Sequence, residues 1–277
     1  MANRHPAQPY DKLYKDFDAP LMQQLRHEAY GKDIGQHSWA TADELAEDIP
    51  RLQLTRASRL FDLGCGPCGP LTFIVAQTGC QGFGADSSAE AIAAGRTRAA
   101  AMNLEQLLTL QQADLNDPLP FANAAFDAVL SVDVVLHLRN RAAVFQEVAR
   151  VLVPGGRFLF TDAGVITGAI SDKEIQSRAI HGNTQFAPPG CNEQALEAAG
   201  LFLLEQCDRT ASLLKNAIGR LAARRAHQAA LEKLEGRAAY ERQLTYLETV
   251  VELSQRGALS RWMYLAESRS AKAHRVF

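Results

Sequence analysis

Cysteine is scarce in this chain: five among 277 residues, an odd number. That count argues against a disulfide framework and suits a reducing compartment. Long apolar runs are missing as well. None approaches the ~20 residues that cross a bilayer, and the polar start Met1-Ala2-Asn3-Arg4-His5 lacks the apolar stretch of a secretion signal. The expectation is a cytoplasmic protein with no membrane partner. An excess of charge of one sign is absent too. Lys and Arg number 29 against 31 Asp and Glu, a net charge of -2, so no overall field draws the chain toward nucleic acid. Histidines and cysteines do not gather at ligand spacing, so no metal is expected. What is present is 47% hydrophobic residues, enough to bury a sizeable core. The length suits one elaborated α/β domain spanning 1–277, and nothing in it names an oligomeric partner.

From residue 58 onward strand-like and helix-like segments alternate. Ser58 to Asp62 is a short apolar run ending in an acid and a glycine cluster, and Gly69 to Gln77 reads as a helix. Gly82 to Asp86 reads as a second strand, after which Ser87 or Ser88 caps a helix running to Ala101. Leu107 to Gln111, Phe126 to Val132 and Arg157 to Thr161 supply three more strands, the last following the turn Pro154-Gly155-Gly156. Strands separated by helices must cross over the sheet, which predicts a doubly wound, parallel α/β architecture of Rossmann-like kind. Two regions lie outside this core of 57–168. Residues 1–56 form an N-terminal helical cap, with Thr41 and Glu44 as a capping box and Tyr10, Tyr14, Tyr30, His37 and Trp39 as its aromatic content. Residues 169–277 hold a loop, a helix at Asn192 to Ala199, a strand at Leu201 to Glu205, a charged helical insertion from Ala211 to Leu253, and a last strand at Arg261 to Ala266.

The loop Asp62-Leu63-Gly64-Cys65-Gly66-Pro67-Cys68-Gly69 joins the first strand to the first helix. Its glycines let backbone approach a ligand, and the amides that open the helix favour an anionic group. Asp86, at the end of the next strand, is placed to accept hydrogen bonds from both hydroxyls of a ribose. Asp62 precedes the first glycine, where it would repel a pyrophosphate and welcome an ammonium. Asp114 follows the third strand, placed for an adenine amino group with Leu115 against the ring. Cys65-Gly66-Pro67-Cys68 also matches a redox dithiol; against that, Asp62 places a carboxylate where a thiolate wants positive surroundings. The alternative is that the two thiols fill space in a tight turn.

Asp62 to Gly69, Asp86, Asp114-Leu115, Phe126-Asp127 and Leu152 to Gly156, in this order, resemble the class I S-adenosylmethionine-dependent methyltransferases. The resemblance covers roughly residues 55 to 165. It implies S-adenosylmethionine as cofactor, with Asp62, Gly64 and Gly66 at its methionine portion, Asp86 and Ser87 at the ribose, Asp114 and Leu115 at the adenine, and Ser131 completing the set. Pro67-Cys68 departs from the small residues usual in such a loop.

Methyl transfer needs its acceptor aligned with the methyl group, and a proton-bearing acceptor also needs a base. Asp133 and His137 follow the fourth strand four residues apart, so a helical turn would put them on one face as a dyad; otherwise Asp133 caps a helix and His137 packs against the sheet. This segment, a tyrosine-bearing cap and the late insertion resemble the small-amine N-methyltransferases acting on phosphoethanolamine, sarcosine or dimethylglycine. That resemblance implies an amine acceptor and a tyrosine near it, taken as Tyr14, with Tyr10 the other candidate. His181, Asn183 and Gln185 are possible pocket residues, equally explained as an ordinary surface loop, and Arg220, Arg224 and Arg225 read as a solvated basic face. Competing readings are a small-molecule O- or C-methyltransferase of secondary metabolism, a cofactor-binding protein without turnover, and a nicotinamide oxidoreductase, which Asp62 disfavours.

Overall fold

A computed structural model describes residues 8–180 and 182–269; Met1 to His5 and His181 lie outside the described residues. The strands are β1 (Arg59–Leu63), β2 (Gln81–Asp86), β3 (Leu108–Gln112), β4 (Phe126–Val132), β5 (Leu152–Ile166), β6 (Leu201–Asp208) and β7 (Leu259–Ser268). The helices are α1 (Gln8–Lys15), α2 (Pro20–Tyr30), α3 (Ala42–Asp48), α4 (Gly69–Thr78), α5 (Ala89–Ala101), α6 (Arg141–Val151), α7 (Asp172–Arg178), α8 (Cys191–Ala198), α9 (Thr210–Ala226), α10 (Gln228–Glu235) and α11 (Arg237–Gln255).

The strands form one seven-stranded sheet in the order β3-β2-β1-β4-β5-β7-β6. Side chains alternate across it. Phe61, Phe126, Val129, Phe158, Phe160 and Tyr264 enter a core that also holds Phe145 and Val148 of α6 and Leu196 of α8. Leu60, Leu130, Leu159, Met263 and Leu265 point the other way, onto Leu45 of α3, Leu71, Ile74 and Val75 of α4, and Ile92 of α5. Both faces are covered, the doubly wound arrangement expected from the crossovers. At the carboxyl edge the chain leaves β1 toward β2 and later returns to β4 on the other side. That switch point between β1 and β4 opens a crevice.

The core strands pair in parallel as expected, whereas β7 runs antiparallel to both β5 and β6. The cause lies in the insertion. It breaks into three helices at His227 and at Gly236, whose φ is 84°. α9 packs on α2 and α11. The chain therefore returns to the sheet at the end it left, with the Arg209 amide bonded to the Arg261 carbonyl. β5 is longer than the predicted 157–161 because it pairs with β4 from Leu152, across a register break beside Gly155, and with β7 as far as Ile166. From Gln8 to Leu52 the chain is mainly helical, in α1 to α3, and Thr41 and Glu44 form the capping box that starts α3. The short α7 was not predicted, although Ser171 and Glu174 form a second box of the same spacing.

Candidate active site

A cavity of about 270 Å³ occupies the crevice between the ends of β1 and β4 and extends under α1, α9 and α11. Asp62, Gly64, Gly66, Asp86, Ser87, Asp114, Leu115, Asp133, His137 and Tyr14 all line it. Ser131 does not. It is fully buried in β4 and its hydroxyl donates to the Leu63 carbonyl at 3.0 Å, joining β4 to β1. The cofactor contact expected of Ser131 is therefore corrected to a strut between strands.

The loop after β1 is shaped by close approaches. Gly64 has φ 84°, and a Cβ there would come within 2.5 Å of Val134 Cγ1, so side chain and conformation are both excluded. Gly66 donates its amide to Asp86 Oδ2 at 2.9 Å, while Ser88 donates to Oδ1 at 2.9 Å. Burial pushes the Asp86 carboxyl above its usual range, and these amides hold it down. Asp62 is 2% exposed; burial first and the nearby Asp86 second push its carboxyl up to about 8. No side-chain hydrogen bond or ion pair reaches it among the described residues. Asp114 accepts from the Asn116 amide at 2.9 Å and from Arg139 at 3.2 Å.

Cys65 and Cys68 are both buried and free. The Cys65 thiol is held well above the ordinary range, first by its hydrogen bond with Cys68, then by burial and by Asp62 and Asp86. Cβ atoms on Gly84 and Gly95 would collide with their sulfurs at 2.9 and 2.6 Å respectively. The thiols thus fill space left by these glycines, and the redox reading lacks the thiolate it requires.

The Asp133–His137 dyad expected from a helical turn does not form. Asp133 has φ 58°, and the helical turn begins only at Val135. The Asp133 carboxylate instead accepts from the Trp39 amide at 2.8 Å, Thr161 Oγ1 at 2.8 Å and Arg261 Nε at 2.9 Å. Arg261, 1% exposed, also reaches Glu44 of α3 at 3.0 Å, so Asp133 fastens the cap to the sheet. His137 is oriented by another group. Its Nδ1 lies 2.9 Å from the Asn183 carbonyl oxygen, and Asn183 Nδ2 donates to the His137 carbonyl at 3.1 Å. A carbonyl only accepts, so Nδ1 carries the proton and Nε2 keeps its lone pair. Burial first, and the Arg178 cation further down, push the imidazole below its usual 6.5, which keeps it neutral.

Both candidate tyrosines reach the cavity from α1. Tyr10 meets His137 edge-on at 5.9 Å, whereas Tyr14 meets His37 at 5.6 Å and stands over Gly66. Of the two candidates, Tyr10 contacts the imidazole, while Tyr14 packs on His37. Gln185 lies over the helical turn rather than in the cavity, its amide donating to the Leu136 carbonyl at 2.6 Å.

Four further lining residues form a layered wall. Arg220 lies 4.5 Å over the Trp39 ring, Trp39 stacks on Tyr246 at 6.1 Å, and Arg178 lies 5.1 Å over Tyr246. Arg178 and Tyr246 were not foreseen. Arg220 was read as solvated, although it falls three residues after Ala217 and four after Asn216, both buried on one face of α9.

Residues 61–160 match the family described as methyltransferase domain. The methyltransferase GfsG of Streptomyces halstedii is 30% identical over 164 residues, 57% of this chain and 58% of that protein. A dimethylglycine N-methyltransferase of Parasynechococcus marenigrum is 38% identical over 117 residues, 41% of this chain and 40% of its own. The chain thus spans about half the length of these relatives. The cyclopropane synthase MmaA2 of Mycobacterium tuberculosis shares the fold with a TM-score of 0.82 and 16% identity, over 96% of this chain and 100% of that one. Residues 61–160 are thus similar to a methyltransferase domain, and they sit on a sheet that shares its fold with that structure.

Proposed function

We propose that the protein transfers a methyl group from S-adenosylmethionine to a small-molecule acceptor whose reacting atom carries a proton, in the first instance an amine nitrogen. The observation that carries this reading is His137, its Nδ1 tied to the Asn183 carbonyl, in the same cavity as the Asp62 to Gly66 loop. The residues present fit the cofactor. Asp62 is a buried acid with no side-chain hydrogen bond or ion pair among the described residues, suited in its ionised form to the ammonium of the methionine portion, and the Gly64 cradle would be filled by any Cβ. Asp86 and Ser87 would hold the ribose, Asp114 and Leu115 the adenine. When bound, the cofactor supplies an electrophilic methyl carbon.

This chain's residues supply alignment and proton removal. The wall of Tyr10, Trp39 and Tyr246 confines the acceptor and excludes water. His137 Nε2 takes the acceptor's proton as the new bond to carbon forms. Tyr10 and Tyr14 stay protonated because burial raises both phenols, so they serve as hydrogen-bonding groups rather than bases. Hydroxyl oxygen or acidic carbon is the second reading. Arg178 and Arg220 already occupy the ring faces on which a cationic amine would rest, and their charge raises the cost of admitting one. Relatives named for sterol C-methylation and for dimethylglycine N-methylation leave both acceptors open.

The test is binding of S-adenosylhomocysteine by calorimetry, followed by methyl release from labelled S-adenosylmethionine onto panels of small amines, phenols and acidic carbon compounds. His137→Ala should reduce turnover about 100-fold or more while S-adenosylhomocysteine affinity stays within about twofold. Equal turnover in that variant would make His137 structural, and failure to bind S-adenosylhomocysteine would sink the reading altogether.

A further inference from the structure

Arg178 is the C-terminal residue of α7 and 3% exposed. One of its terminal nitrogens donates to the Ala163 carbonyl at 3.2 Å, and its Nε has no hydrogen-bond partner among the described residues. No carboxylate lies within ion-pair distance of it among those residues, although other buried arginines of the chain are paired: Arg141 to Asp162 at 3.0 Å and Arg261 to Asp133 and Glu44. The helix end, the Ala163 carbonyl and the Tyr246 ring fix the group without neutralising it. A buried guanidinium with unused N–H donors costs several kcal/mol unless a partner arrives. It lines the cavity together with His137 and close enough to depress the imidazole. Arg220, on the far side of the Trp39 and Tyr246 layers in the same wall, adds positive potential and also lacks an ion-pair partner among the described residues.

We infer that Arg178 is the docking point for an oxyanion carried by the acceptor, a carboxylate or a phosphate. This rests on the methyl-transfer reading for the word acceptor, but not for the anion site itself. A guanidinium meets either group with paired N–H donors, and the missing counter-charge inside a buried wall is what such a ligand would provide. Of the acids in the cavity, Asp133 is committed to Arg261 and Asp114 to Arg139, and Asp62 and Asp86 stand at the cofactor loop.

The experiment uses the full chain, with and without saturating S-adenosylhomocysteine, titrated separately with inorganic phosphate, acetate and the neutral acetamide, and followed by NMR or calorimetry. The expected result is saturable binding of phosphate or acetate but not acetamide, weakened at least tenfold in Arg178→Met and less in Arg178→Lys. Phosphate alone assigns a phosphate-bearing acceptor, and acetate alone a carboxylate. Absence of anion binding, or equal binding in Arg178→Met, overturns the inference. S-adenosylhomocysteine affinity of each variant reports folding, and should Arg178→Met fail to fold, Arg178→Gln set against Arg178→Lys makes the same comparison. If S-adenosylhomocysteine does not bind the unaltered protein, the methyl-transfer reading fails by itself, and the anion titration of the ligand-free protein still decides the site.

Discussion

Asp62 is buried with no partner for its ionised form among the described residues, so its proton stays on until a pH of about 8. An ammonium beside it reverses the balance, because opposite charge favours the carboxylate. Binding at pH 7 must therefore expel a proton, and affinity for S-adenosylhomocysteine should fall by up to about tenfold for each pH unit below 8. Calorimetry at pH 7 in two buffers of different ionisation enthalpy measures this release; none in Asp62→Asn, and a flattened pH profile, are expected. Release unchanged in that variant would place the ammonium elsewhere. The same raised value means that the protonated acid stabilises the ligand-free fold below the unfolded value of about 4, and that this contribution is lost as pH rises toward 8.

The positions of Asp62 and Asp86 at the ends of β1 and β2 were legible because each closes a short apolar run. His137 was legible as a residue but not in its partnership. The four-residue spacing implies a shared face only if Asp133 is helical, and its left-handed conformation turns the carboxylate toward Arg261 instead. Ser131 was misassigned because a polar residue at a strand end reads like a ligand contact, whereas its hydroxyl is spent on the Leu63 carbonyl. Arg178 and Tyr246 were not legible at all. They come from α7 and α11, and only the packing of those helices on the cap brings them together.

Among the elements, α3, β4 and β7 meet at one buried triad. Arg261 joins Asp133 to Glu44, and Arg209 adds Asp48 at 3.0 Å nearby. Burial alone would lower the Arg261 pKa, but the two carboxylates outweigh it and hold it above the usual arginine value. Arg261→Met strands both acids and should cost about 3 to 5 kcal/mol. Adding Glu44→Gln to that variant should restore part of it by removing one unpaired charge. Urea melts of the two variants and the unaltered protein measure this, and a single change costing under about 1 kcal/mol would show that the triad does not secure the cap. Because Asp133 also holds the Trp39 amide, loss of the triad should loosen the ring wall as well as the fold.

For the whole molecule, the cavity is roofed by a short element. α1 is eight residues long, too short to hold its shape in isolation. It is tied down by the Ser88 hydroxyl on Asp11 at 2.6 Å and by Tyr10 and Tyr14 inside the cavity. We predict that a ligand entering at this end displaces α1. Hydrogen exchange of its amides should be fast in the free protein and slow at least tenfold once S-adenosylhomocysteine is bound, with β4 unchanged. Equal exchange in both states would mean that α1 is a fixed part of the wall.

The antiparallel strand β7 also bears on how such a protein diversifies. Since β7 returns beside β6 in the opposite sense, α9 to α11 amount to one very large hairpin loop. A hairpin loop can be lengthened, shortened or exchanged without disturbing the handedness of any crossover. Selection can therefore rebuild the wall proposed to face the acceptor while the half proposed to hold the nucleoside stays as it is.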